Sequence, residues 1–195
     1  IYNFCKEKDY SVEVLVNNAG YGIPSQFHKT SMEDEEKSIR VLSTSVIALS
    51  KAFIPDMLEK KSGKIMIISS VASFTPPSTI QVLYGPLKTF MNRFSDALNV
   101  NYKHKGISST AVCPGYVVTE FHSSSGVQDA MDKVPAFMKL NAKDVAAEAV
   151  EATLSSKSYC IPSKRYKFLV FLIKYASFLM KLLSNTLSGG RYSKK

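Results

Sequence analysis

The chain has 195 residues, 45% of them hydrophobic, which suits one globular domain with a substantial core. Cys5, Cys113 and Cys160 show no paired or metal-type spacing, and His28, His104 and His122 lie far apart; this argues against a disulfide scaffold or a metal site and for a reducing, cytoplasmic setting. The net charge of +9 is uneven: nine of the 25 basic residues follow Glu151, where no acid occurs, and the remaining 16 match the 16 acids, which favours a basic tail on an anionic surface such as a membrane, or a solvated tail, over a nucleic-acid-binding domain.

The chain opens at Ile1 without methionine or a signal-peptide pattern and reads as cut from something longer. Tyr2 and Lys6 in "YNFCK" stand four residues apart with no other promising feature around them. "VEVLV", Val12 to Val16, is a short β-branched run that stops at a turn-like "NNAG", and it predicts a strand. Ser31 with Asp34 three residues on is a capping-box signature. The segment after it repeats Ile39, Leu42, Val46, Leu49, Phe53 and Met57 at spacings of three and four, the pattern of a helix with one apolar face. Pro55 is expected to bend or interrupt its later part.

"KIMIIS", Lys64 to Ser69, is nearly continuous in apolar residues and predicts a strand buried on both faces. Leu87, Phe90, Met91, Phe94 and Leu98 then mark a second amphipathic helix, with Tyr84 and Lys88 at its start and one turn apart. Pro86 fits there only in the first turn, where its missing N–H costs nothing. "ISSTAVC" (Ile107 to Cys113) is a third strand, ended by Pro114-Gly115; "NAKDVAAEAVEATL" is a capped helix and "SYCIP" a last short strand. Strands alternating with helices of crossover length imply an α/β fold with a parallel sheet covered on both faces. Ligands bind such sheets at the carboxyl ends of the strands. "NNAG", the serine pair Ser69-Ser70 and "PGYVVTE" all collect at that edge.

"LVNNAG", "IISS", "YGPLK" and "PGYVVT", in this order, resemble the successive signatures of the short-chain dehydrogenase/reductase family, from about Val12 to Phe121 and more weakly to about Pro162. The resemblance implies a doubly wound, Rossmann-like sheet missing its first strands. It also implies hydride transfer between NAD or NADP and a carbonyl or alcohol. Tyr84 falls on the family's catalytic tyrosine, Lys88 on its lysine, and Ser70 on its serine, with Ser69 the less favoured choice. Asn17, Asn18, Ala19 and Gly20 match the motif beside the adenosine half of the cofactor, and Val117 and Thr119 match positions that hold the nicotinamide carboxamide. A lysine ammonium beside the phenol is expected to lower its pKa from near ~10. The family commonly forms homodimers or homotetramers through two apolar helices.

Two departures stand out. The family's phosphate-binding glycine loop is absent, and Gly20-x-Gly22 is too short to replace it. The chain is therefore expected to be a fragment, to bind cofactor poorly alone, and to leave its first strand with an exposed edge. Leu42 also falls where the family carries an active-site asparagine, and leucine holds no water and relays no proton. The alternative function is accordingly a non-catalytic relative acting as a membrane-associated interaction module.

Residues 1–162 are read as the carboxyl-terminal part of the dehydrogenase domain and 163–195 as a basic, apolar tail. Lys167, Lys174 and Lys181 line one stripe of that tail, whose uncharged runs fall short of the ~18 residues of a spanning helix. Two placements stay open: flat in a membrane interface, or packed over the substrate pocket or a partner chain. Tails of this kind occur in family members acting on 3-oxoacyl chains, steroids or retinoids, so a lipid-like carbonyl substrate is expected by analogy.

Overall fold

The computed structural model describes residues 1–23, 25–76, 82–121, 126 and 128–175; Lys181 and the rest of the tail beyond 175 lie outside the described residues. In chain order the elements are α1 (Tyr2–Glu7), β1 (Val14–Asn17), α2 (Met32–Ile39), a π-turn (Arg40–Thr44) and α3 (Ser45–Glu59), then β2 (Gly63–Ile68), α4 (Tyr84–Tyr102), β3 (Ile107–Val112) and β4 (Tyr116–Val118). They are followed by α5 (Gln128–Asp132), β5 (Lys139–Asn141), α6 (Ala142–Leu154) and β6 (Tyr159–Cys160), and by a helix over 164–175, here α7.

Among the described residues, four strands form the main sheet in the order β1-β2-β3-β6, every pair parallel. The period of two along β2 divides the core. Ile65 and Ile67 join Leu42, Val46, Phe53, Met57 and Met91 under α3 and α4, while Met66 meets Ala149, Ala152 and Cys160 under α6. Each of these large side chains contributes about 1.5–3 kcal/mol when fully buried. At the edge strand, Leu15 and Asn17 point into the first core. Val14 and Val16, on the opposite face, stay 36% and 48% exposed. Among the described residues β1 is thus the end strand of the sheet, with apolar side chains exposed on one face.

Several boundaries differ from expectation. β1 starts at Val14, where its ladder with Lys64 begins, and ends on Asn17, so Val12 packs against the core without pairing. α3 runs through Pro55 to Glu59 without interruption. Pro55 offers no N–H to the carbonyl one turn back, which belongs to the exposed Lys51. The irregularity lies instead in the π-turn that carries Leu42. After Pro114-Gly115 the chain forms a further strand: β4 pairs in parallel with β5, matching Tyr116 to Lys139 and Val118 to Asn141. The caps hold, with Ser31 accepting from the Asp34 N–H at 3.1 Å and Asn141 from the Lys143 N–H at 2.8 Å.

Candidate active site

β2 delivers the chain to the site. Past Ile68 the backbone is tied to the end of β3, Ser69 N–H donating to Val112 O at 2.7 Å and Val71 N–H to Pro114 O at 3.0 Å. Ser69 turns inward, and its hydroxyl donates to Lys88 O at 2.9 Å. Ser70 caps the following 3-10 turn, its Oγ accepting from Ala72 N–H at 3.1 Å. The turn is braced from α4 and from within: Asn92 Nδ2 donates to Ser73 Oγ at 2.7 Å, and Ser73 Oγ donates to Ser70 O at 2.6 Å.

α4 begins at Tyr84 and takes Pro86 in its first turn, where no intrahelical N–H is missed. Lys88, one turn on, is only 4% exposed. Its Nζ lies 5.4 Å from the Tyr84 ring centroid and donates to Ile68 O at 2.8 Å, with Met91 Sδ at 3.6 Å. The equally spaced Tyr2 and Lys6 sit on α1, and both reach Asp56 of α3 at 3.3 Å, a surface clamp between two helices. Burial separates the two pairs, which spacing alone cannot.

Burial also governs the charges. The Tyr84 phenol is held above its ordinary pKa by desolvation, partly offset by its interaction with the Ser70 hydroxyl. Desolvation pulls the Lys88 ammonium down to about 8, with Cys113 opposing. The lowering of the phenol by Lys88 expected from the sequence is not found: the cost of burying a phenolate dominates, and the opposing contribution comes from Ser70. Cys113 is pushed up to about 12, also by burial, and stays a thiol.

Asn17 closes β1 with its amide buried, and neither polar atom of that amide has a hydrogen-bond partner among the described residues. Asn18 and Ala19 are exposed beyond it. At Gly20 a β-carbon would stand 3.1 Å from Leu42 Cδ2 and 3.8 Å from Lys88 Nζ, so this backbone passes bare beside the lysine. Leu42 is fully buried. Val117 is central in β4 and Thr119 follows it, Thr119 Oγ1 accepting from Phe121 N–H at 3.3 Å. The same segment brings Phe121 to Tyr84, ring centroids 6.4 Å apart. Tyr21, Ile23, Val82 and Leu83 line a shallow depression on which Tyr84 also opens. The sequence reading missed Phe121, Ser73 and Asn92. Asn92 had a signal: Lys88, Asn92 and Ser95 follow at four and three, a polar line on the buried side of α4.

A family model described as short chain dehydrogenase matches residues 1–130. The chain belongs to that family. Oxidoreductase UcpA of Escherichia coli is 28% identical over 184 residues, covering 94% of this chain and 64% of that protein. The very-long-chain 3-oxoacyl-CoA reductase of Anas platyrhynchos is 32% identical over 181 residues, covering 90% and 55%. This chain therefore spans less than two thirds of either relative's length. Among solved structures, a short-chain dehydrogenase from Sphingobium yanoikuyae in complex with NADPH superposes with a TM-score of 0.76 at 22% identity, covering all of this chain and 72% of that one. The likeness confirms the α/β Rossmann-type architecture of the family.

Proposed function

We propose that the full-length protein is a nicotinamide-dependent carbonyl reductase or alcohol dehydrogenase acting on a lipid-like substrate. The observation that carries this reading is the meeting of Ser70, Tyr84 and a buried Lys88 at the carboxyl end of β2. The unpaired buried amide of Asn17 and the bare backbone at Gly20 beside Lys88 fit an NAD or NADP cofactor. Asn17, Ala19, Gly20, Tyr84, Lys88, Val117 and Thr119 would hold it. When bound, the reduced nicotinamide supplies a hydride to the carbonyl carbon.

The chain's own groups handle the oxygen. Ser70 Oγ accepts from Ala72 N–H, and its O–H, which faces the Tyr84 oxygen here, would turn to donate to the substrate carbonyl. Tyr84, kept protonated by burial, gives its proton to that oxygen as negative charge develops on it. The ammonium of Lys88 then stabilises the phenolate left behind. Phe121, Val82 and Leu83 make the approach apolar. Together with the name of the duck relative, this favours 3-oxoacyl chains over steroids or retinoids. The test is cofactor consumption by the full-length protein over a panel of ketones. Long-chain 3-oxoacyl thioesters are expected to give kcat/KM at least tenfold above short polar ketones, and the reverse order would sink the lipid assignment.

A second reading, a non-catalytic relative, draws on Leu42, which fills the asparagine's place with buried hydrocarbon. Homodimer or homotetramer formation remains the expectation from the family. The tail reading gains a specific face. On α7, Phe168, Phe171, Leu172 and Tyr175 point outward, 44–62% exposed, and no acid follows Glu151 in the sequence. This is the composition of an interfacial helix on an anionic bilayer surface. Replacing Phe168 and Phe171 with serine is expected to cut cosedimentation with phosphatidylserine vesicles at least tenfold and to leave the thermal midpoint unchanged. Undiminished sedimentation would remove this face from the account.

A further inference from the structure

We propose that Tyr166, on the tail helix, is a positioning residue that sets the backbone of the cofactor loop after β3; the proposal rests on the functional reading above. The chain leaves β3 through Pro114-Gly115 and enters β4, which carries Val117. It returns through Met138 into β5. The β4–β5 pair is only three residues long on each side, too short to be stable unaided. The Tyr166 hydroxyl lies at its open end. It accepts from Tyr116 N–H at 3.1 Å and donates to Met138 O at 2.7 Å. One oxygen thus joins the residue that begins β4 to the residue that precedes β5.

The fit of the ring is equally specific. Tyr166 is 1% exposed, and a β-carbon on Gly115 would overlap its ring, so the glycine gives the aromatic side chain its seat. The helix that carries Tyr166 is anchored elsewhere. Arg165 donates to Phe137 O, Ser163 N–H to Glu148 Oε1 at 3.1 Å, and Lys167 pairs with Glu148 at 3.4 Å. Lys174 Nζ lies 4.7 Å from the ring centroid of Phe74, just past the Ser70 turn. Tyr166 is therefore a fixed point to which β4 is tied, rather than a side chain that follows it. Without the hydroxyl, the part-buried bonds to Tyr116 N–H and Met138 O are both lost, and the separation of β4 from β5 is no longer defined. Val117 and Thr119 move with β4.

The test uses the full-length protein and calorimetric titration with NADP(H) and NAD(H). Tyr166→Phe keeps the ring and removes both hydrogen bonds, and is expected to weaken the Kd of the preferred cofactor about tenfold, the size of one or two lost hydrogen bonds. Asn99→Ala is the comparator. It removes two hydrogen bonds from Ser109, nearer the amino end of β3, and is expected to lower the Tm comparably while leaving Kd within twofold. A Tyr166→Phe Kd within twofold of the parent, or Kd changes that merely track Tm in both variants, would overturn the proposal. A parent that binds neither cofactor would instead overturn the functional reading beneath it.

Discussion

Tyr84→Phe in the full-length protein is expected to lower kcat for ketone reduction by about 10²–10⁴-fold with KM for the ketone changed less than threefold. The variant removes one oxygen and leaves the ring that meets Phe121. Apolar contacts with the substrate persist, and only the proton donor is lost. Desolvation keeps the phenol protonated across the neutral range, so it is available there as the acid. A loss confined to KM would mean the hydroxyl only binds substrate. Unchanged kinetics would remove Tyr84 from the chemistry.

Lys88→Met is expected to do two opposite things: abolish measurable turnover and raise fold stability at neutral pH. A folded-state pKa of about 8 against the 10.5 of an unperturbed lysine corresponds to roughly 3 kcal/mol spent on holding the charge inside. The sign follows from proton counts. Between about 8 and 10.5 the unfolded chain binds more protons than the folded one, so the parent gains stability as pH rises through that window. Below about 8 both states are protonated and the penalty is present in full. Methionine lacks the charge but strands Ile68 O, at a cost of about 1 kcal/mol. The variant should therefore be more stable than the parent by about 2 kcal/mol at pH 7, with the advantage vanishing above pH ~10. Urea midpoints of both proteins across this range measure it. A variant less stable at pH 7 would make Lys88 a structural tie. For the parent, reductase activity should decline as pH rises through about 8, when Lys88 loses its proton.

A buried cation that destabilises its own fold is the kind of feature retained for chemistry. Burial is also what the residue string could not show. The sheet was legible because Ile65 to Ile68 is an apolar run and Ile107 to Val112, though it holds Ser108, Ser109 and Thr110, is short, free of charge and closed by Pro114-Gly115; a parallel sheet buries both faces of such strands. Leu42 was readable as core from its three-and-four spacing. That spacing is the same in an α-turn and a π-turn, so the local widening at 40–44 left no trace. The pairing of β4 with β5 and the seat of Tyr166 were hidden for another reason. They join residues tens of positions apart, and no periodicity encodes such contacts. Tyr2–Lys6 and Tyr84–Lys88 share one spacing, and in sequence only the flanking motifs tell them apart. The fold adds Asp56 beside the first pair and brings Ser70, expected from the family resemblance, beside the second.

The most direct measurement follows deuterium from a reduced nicotinamide labelled at the transferring position, mixed with the full-length protein and a long-chain 3-oxoacyl thioester. The account predicts deuterium on the former carbonyl carbon of the product, formed by the parent and lost in Tyr84→Phe. A folded parent that binds the cofactor yet transfers no label to any ketone offered would contradict it, and would leave the non-catalytic reading suggested by Leu42.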